Sequence, residues 1–325
     1  MRFSMGMVCT PGAAALAIAM MSAPVQADTP LRIGVVSRTV FYLPLWTAVA
    51  QGFLKQEGID PTIDVYDASD KISDDLRKGS HQIGIAPLEG LIADAYKGGR
   101  LRAVAGNAQR LPHFIIAQPE IKSLAGLKGK TIGVVSMVEG TTFFVADMAK
   151  AGGFTLADVK VEAVGGSPTR QRLLKEKKID AALQPYPLSY EAEELGFTNL
   201  GPIANLVPEY LFTATIVDEG WARANRPVLV GFLRALRRGT EYMFAHPDES
   251  AALGARELRT TVPYAKRTLE DSERMKVMEK DISLPDASLK RVFDNVKAAN
   301  LIPAETPFER ARFVDESYLQ ESRAR

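Results

Sequence analysis

Lys128-Gly-Lys-Thr-Ile-Gly-Val-Val-Ser-Met-Val-Glu-Gly-Thr-Thr-Phe-Phe144 is the stretch whose reading decides the fold. Residues 131–135 have the β-branched, apolar character of a short buried strand, Gly140 supplies a turn, and Thr141 or Thr142 offers an N-cap for the helix that follows. A strand running through a turn into a helix leaves backbone N–H groups unpaired and converging, beside the positive end of the helix dipole. Anionic or strongly accepting ligand groups bind at such a spot. Gly129-Lys130-Thr131 imitates the end of a nucleotide-binding P-loop, but the motif's first glycine would fall on Leu124 and the Gly-Lys-Thr precedes the strand, so no nucleotide site is expected.

Outward from this stretch, strand and helix alternate. Toward the N-terminus the strands are read at 31–36, 61–66, 82–86 and 101–106, with helical patterns between them, among them Leu45, Val49 and Phe53 at helical spacing. Toward the C-terminus, strands are read at 159–164 and 179–183 and a helix at 169–177. Leu76 to Ala86 and Leu174 to Leu183 echo each other, each with a basic helix end, a short turn and a buried strand. After Pro208 a β-rich run at 210–217 gives way to helices at 227–244, 247–257, 264–278 and 287–300. This alternation argues for an α/β fold with largely parallel sheets. Two similar lobes would leave a cleft outside the carboxyl ends of their strands, where open α/β sheets bind ligands.

Length and composition agree. Arg2, the small apolar run from Ala13 to Met21 and Val25-Gln26-Ala27 read as a secretory signal peptide over 1–27, cleaved after Ala27; the run is too short to span a bilayer and lacks twin arginines. Cys9, the single cysteine, would leave with it, which removes disulfides, thiolate metal sites and cysteine nucleophiles from consideration. The net charge of +1 becomes zero (39 basic minus 39 acidic) without Arg2 and gives no reason to expect nucleic acid or an anionic membrane surface as partner. Roughly 300 remaining residues exceed what one core organises. The expected division is lobe 1 over 28–117, lobe 2 over 118–209 and a return to lobe 1 over 210–325, with hinge crossings near 115–119 and 209–216.

Tyr42-Leu-Pro-Leu-Trp-Thr-Ala-Val-Ala-Gln-Gly-Phe-Leu-Lys-Gln-Glu-Gly58, Lys78-Gly-Ser-His-Gln-Ile-Gly-Ile-Ala86, Ile121-Lys-Ser-Leu-Ala-Gly-Leu-Lys-Gly-Lys-Thr-Ile-Gly133 and the helix near Pro227 together carry a family resemblance over nearly the whole chain. The sequence resembles the NMT1/THI5-like periplasmic solute-binding proteins, a group that includes aliphatic sulfonate, taurine and nitrate receptors. The resemblance implies a two-lobed type II periplasmic-binding-protein fold with two hinge crossings, a monomer that clamps a small-molecule ligand in a central cleft and delivers it to an inner-membrane ABC permease with its ATPase. It implies no cofactor, no metal and no catalytic residue.

The resemblance also implies that the pocket is built from loops that follow strands. Those loops hold Ser37, Arg38 and Tyr42, Asp67, Glu89, Asn107, Ser136, Thr141 and Thr142, Arg170 and Tyr186. Thr141 and Thr142 suit hydrogen bonding or capping, Tyr42 and Tyr186 suit stacking, and Arg38, Arg110 and Arg170 suit pairing with an anion. Trp46, Phe143 and Phe144 read as core. Glu89 suits a ligand amine and favours a pyrimidine or other planar heterocycle; the helix N-terminus and the arginines favour an organic sulfonate or aromatic carboxylate instead. The histidines at 81, 113 and 246 have no metal-ligand spacing. Two further classes stay open: a pyrimidine-precursor synthase-like enzyme, against which the lack of a mature cysteine counts, and a ligand sensor for a membrane receptor.

Overall fold

A computed structural model describes residues 1–2, 28–66, 69–137 and 140–324. The expected signal peptide at 1–27 lies, from residue 3 onward, outside the described residues, as does Asp67. The strands are β1 (Thr29–Val35), β2 (Ile59–Val65), β3 (Ile83–Ala86), β4 (Leu101–Ala108), β5 (His113–Ala117), β6 (Thr131–Val134), β7 (Lys160–Ala163), β8 (Ala181–Pro185), β9 (Thr198–Pro202) and β10 (Thr213–Asp218). The helices are α1 (Leu43–Ala50), α2 (Phe53–Gln56), α3 (Ser69–Lys78), α4 (Glu89–Ala95), α5 (Phe143–Gly152), α6 (Ser167–Lys175) and α7 (Leu188–Glu194). The C-terminal third adds α8 (Glu219–Ala224), α9 (Arg226–Ala245), α10 (Pro247–Glu257), α11 (Val262–Arg274), α12 (Asp286–Ala298) and α13 (Ser317–Arg323).

The strands form two sheets of the same design, β2-β1-β3-β10-β4 and β7-β6-β8-β5-β9. The internal echo acquires a physical meaning here, because α3–β3 and α6–β8 each deliver the middle strand of a sheet. The sheets are mixed instead of largely parallel. In the first, β1 runs parallel to β2 and β3, while β10 runs antiparallel to β3 and β4. In the second, β6 runs parallel to β7 and β8, while β5 runs antiparallel to β8 and β9. The antiparallel strands are those reached by crossing from one sheet to the other, and alternation of strand and helix along the chain cannot show that reversal. Because β5 already pairs at His113, the chain crosses at 109–112, ahead of the expected 115–119, and it returns through 203–212.

Burial follows the patterns that predict it. Ile33, Val35, Ile83, Ile85, Ala214 and Ile216 fill the first sheet, and Ile115, Ile132, Val134 and Leu183 fill the second. Helix α9 opens on Pro227, whose fixed φ suits a first turn, and buries Leu229, Phe232, Leu233 and Leu236 as one stripe. It crosses α1 at Gly239, where a Cβ would stand 2.4 Å from the carbonyl oxygen of Pro44, so this close approach requires glycine. No helix among the described residues is long and apolar enough to cross a membrane.

Candidate functional site

The carboxyl ends of β1, β3, β6 and β7 face one cleft. Its inner chamber, about 50 Å³, is lined by Val36, Ser37, Phe41, Tyr42 and Pro87 from the first sheet's loops and by Val135, Thr141, Gly166, Ser167 and Arg170 from the second's, while Phe212 ends one crossing and His113 opens β5 directly after the other. An outer chamber of about 520 Å³ shares Val36, Ser37 and Gly166 with it and adds Arg38, Val65, Tyr186, Leu258 and Arg259. A hollow of about 580 Å³ beside Lys276 and Asp281 takes no residue from the second sheet. The two chambers, which share Val36, Ser37 and Gly166, are therefore the candidate site, since together they draw on both sheets and on the hinge.

Arg170 dominates the electrostatics. It stands in the first turns of α6 and is 2 % exposed. Its guanidinium donates to the carbonyl of Gly165 at 2.9 Å, to Ser167 Oγ at 2.9 Å and to the carbonyl of Leu183 at 3.0 Å, whereas its Nε has no partner among the described residues. Gly165 adopts φ 102°, which turns its carbonyl toward the arginine and is open to glycine at little cost. Among the described residues no carboxylate forms an ion pair with Arg170 within 4.0 Å. Burial alone accounts for the fall of its pKa from 12.5 to about 10.

Two more buried polar groups of this chamber lack partners among the described residues: Thr141 Oγ1 and His113 Nδ1, on side chains 2 % exposed. His113 packs edge-on against Phe212 with ring centroids 4.9 Å apart. Burial first, and then the charge of Arg170, push its pKa down to about 3, so the imidazole is uncharged at neutral pH. Neither His113 nor Phe212 was expected at the site, whereas Phe41 and Ser167 sit in the strand-following loops expected to build it without having been singled out. A histidine at the start of a strand and phenylalanines flanking two loops look like core until the crossings are folded onto the cleft.

The expected residues distribute unevenly. Ser37 lines both chambers, and its Oγ lies 3.0 Å from Thr39 Oγ1. Tyr42 presents its ring to the inner chamber and accepts from the N–H of Val36 at 3.3 Å; burial raises its pKa. Tyr186 lines the outer chamber and donates to Met275 Sδ at 2.7 Å. Arg38 also lines it, paired with Glu257 at 3.1 Å and lying over Trp46 at 5.5 Å from the ring centroid. Thr142 donates to the carbonyl of Ser136, and neither residue lines the chambers. No threonine side chain caps α5, because a 3₁₀ turn over 140–142 leads directly into the helix and keeps Thr142 in the helical region.

Asn107 and Glu89 lie behind the cleft wall. Asn107 is inside β4 and donates to the carbonyl of Phe41 at 2.7 Å and to Thr213 Oγ1 at 3.0 Å, which holds the 3₁₀ turn carrying Phe41 and Tyr42. Glu89 is 1 % exposed and accepts from the hydroxyl of Tyr210 at 2.7 Å, which itself meets Phe144 edge-on. Its position at a helix start is as expected, but the α4 axis directs the carboxylate into the interface with Tyr210 and away from both chambers.

With this geometry in hand, the chain can be set beside known proteins. The family model described as NMT1/THI5 like matches residues 41–250. The chain belongs to the NMT1/THI5-like family. Among curated relatives of this member, a candidate binding protein of Brucella abortus is 27 % identical over 253 residues, covering 76 % of this chain and 77 % of that one. The riboflavin-binding protein RibY of Chloroflexus aurantiacus is 24 % identical over 218 residues, covering 64 % and 60 %. Among solved structures, the ligand-binding component of an ABC-type import system from Staphylococcus aureus superposes with a TM-score of 0.77 at 13 % identity over 91 % of this chain and 99 % of that one. The periplasmic aliphatic sulphonate binding protein SsuA of Escherichia coli gives 0.68 at 15 % over 87 % and 91 %. The desulfurization enzyme DSZB gives 0.64 at 15 % over 91 % and 98 %. The fold is therefore that of the periplasmic binding proteins, and most of these neighbours are binding proteins.

Proposed function

We propose that this family member is a periplasmic solute-binding protein that clamps a small organic anion with a flat body, a planar carboxylate or sulfonate, and presents it to an inner-membrane ABC permease and its ATPase. The observation that carries the reading is Arg170, a guanidinium buried in the cleft and, among the described residues, without a carboxylate partner. A buried charge is stable only when paired or fully hydrogen-bonded, and an anionic head in the inner chamber would meet it together with Thr141 and Ser167. The rings of Phe41, Tyr42 and Phe212, with Tyr186 farther out, suit a flat body. The pyrimidine or other planar heterocycle favoured by Glu89 takes second place, because Glu89 lines neither chamber. That SsuA binds sulphonates and RibY binds riboflavin is compatible with a charged head and a flat body respectively.

Clamping needs contacts to both lobes, which we take as the units carrying the two sheets, hinged at 109–112 and 203–212. A thermal-shift panel tests the reading: planar carboxylates and sulfonates, aminopyrimidines and uncharged heterocycles, nitrate and polyamines. A ligand at about 100 times its dissociation constant adds about 2.7 kcal/mol. Stabilisation by anions supports the proposal; stabilisation by uncharged heterocycles alone overturns it.

A further inference from the structure

The inner chamber has a floor made by the hinge itself. His113 is the first residue after one crossing and Phe212 the last stretch of the other before β10, and their rings meet edge-on there at an interplanar angle of 77°. A second ring, Phe41, lies 6.4 Å away. The imidazole is thus held by aromatic contacts, and its enclosed Nδ1 has no hydrogen-bond partner among the described residues. A phenylalanine would fill such an aromatic nest without leaving a polar atom unpaired. An imidazole at this position, lining the chamber, is accounted for by a ligand in the chamber that bonds to its ring.

We propose that His113 hydrogen-bonds the head of the bound ligand beside Arg170 and so decides which heads the chamber accepts; this rests on the anion reading above. The uncharged imidazole carries one N–H donor and one acceptor nitrogen. Arg170 is the one ionised side chain lining the inner chamber among the described residues, so the chamber offers a single positive charge and His113 cannot supply a second. A singly charged carboxylate or sulfonate is matched in charge and gains a hydrogen bond from His113. A phosphate monoester, doubly charged above its second pKa near 6, would bring a buried charge with no counterpart. The ligand class is thereby narrowed to monoanions.

The test is isothermal titration of the whole protein at pH 8 with one flat aromatic body bearing a carboxylate, a sulfonate or a phosphate ester, for wild type, His113→Phe, His113→Gln and Arg170→Gln. Wild type should favour the monoanions over the phosphate by about tenfold or more. His113→Phe should weaken monoanion binding by about tenfold to a hundredfold, the range for a hydrogen bond to a charged group, with ligand-free melting unchanged or higher, and His113→Gln should restore most of the loss. The chain has three histidines, so the imidazole nitrogen resonances missing from His113→Gln identify His113, and they should move on ligand addition. If His113→Phe binds as wild type and those resonances stay still while Arg170→Gln loses binding, the anion reading survives and this inference is overturned. Preference for the phosphate ester also overturns it, and a wild type that binds none of the three overturns both.

Discussion

Replacing Arg170 with methionine should leave the ligand-free protein nearly as stable as before and remove its response to anions. Burial lowers the pKa of this guanidinium from 12.5 to about 10. At 1.36 kcal/mol per pH unit, that is about 3 kcal/mol held against the charged form. Because the folded pKa lies below the unfolded one, the cost is fully present at any pH below about 10 and fades only toward 12.5. Methionine removes that cost and keeps most of the side-chain volume. It also deprives the Gly165 carbonyl, Ser167 Oγ and the Leu183 carbonyl of their donor, at about 1 kcal/mol each. The two effects nearly cancel, so ligand-free stability by urea unfolding should change by no more than about 2 kcal/mol. The ligand term does not cancel, since losing one partner of a buried charge pair costs about 2–5 kcal/mol of binding. In a thermal-shift assay the rise of about 4 °C expected at 100 times the wild-type dissociation constant should fall to about a third of that or less. Wild-type affinity in the variant refutes the assignment of Arg170 to the ligand; a ligand-free loss above about 5 kcal/mol would instead make the arginine a structural strut.

Glu89→Gln should leave ligand affinity within about twofold, because the carboxylate bonds Tyr210 outside the chambers, and should lower the melting temperature through the weakened charge-assisted bond; calorimetric titration reads the first and differential scanning calorimetry the second. Asp147→Asn weakens the ion pair with Arg291, whose one Nη2 donates to both Asp147 carboxylate oxygens at 2.8 Å and ties α5, which follows a strand of the second sheet, to α12. The pair is partly exposed, so closure should lose about 0.5–1 kcal/mol and ligand affinity about two- to fivefold, with a larger radius of gyration by solution scattering. Gly239→Ala should destabilise by about 1–3 kcal/mol in denaturant titration by pushing α9 off the Pro44 carbonyl. Tyr66→Phe acts through Asp75, whose carboxyl the Tyr66 hydroxyl holds below its ordinary 3.8, against burial. A depressed carboxyl pKa contributes stability above its unfolded value that is lost as pH falls through the folded one, so the variant should lose stability near neutrality and its acid-unfolding midpoint should move to higher pH.

Much of this architecture is legible without coordinates. The alternation of strand and helix, the echo between residues 76–86 and 174–183, and the stripe of Leu229, Phe232, Leu233 and Leu236 are local periodicities, and local periodicity reports which face of an element is buried. Ser37, Tyr42, Thr141, Arg170 and Tyr186 were reachable for the same reason: each follows a strand, and in open α/β sheets the carboxyl ends of strands face the ligand cleft. What chain order could not supply was direction. The reversal of β5 and β10 depends on which sheet the chain crosses into, and that crossing carries His113 and Phe212 to the cleft floor. Glu89 and Asn107 sit at strand ends too, yet a rotation about the α4 axis and the pleat of β4 send their side chains to Tyr210 and Phe41. The sequence by itself determined the elements, the two-lobed design and the set of loops that could hold a ligand. Only the tertiary structure decided which side chains of those loops converge, because convergence depends on side-chain direction and on contacts between residues about 100 apart in the chain, and because the set of described residues packed around Arg170, none of them a carboxylate ion-paired with it, is assembled only by the fold.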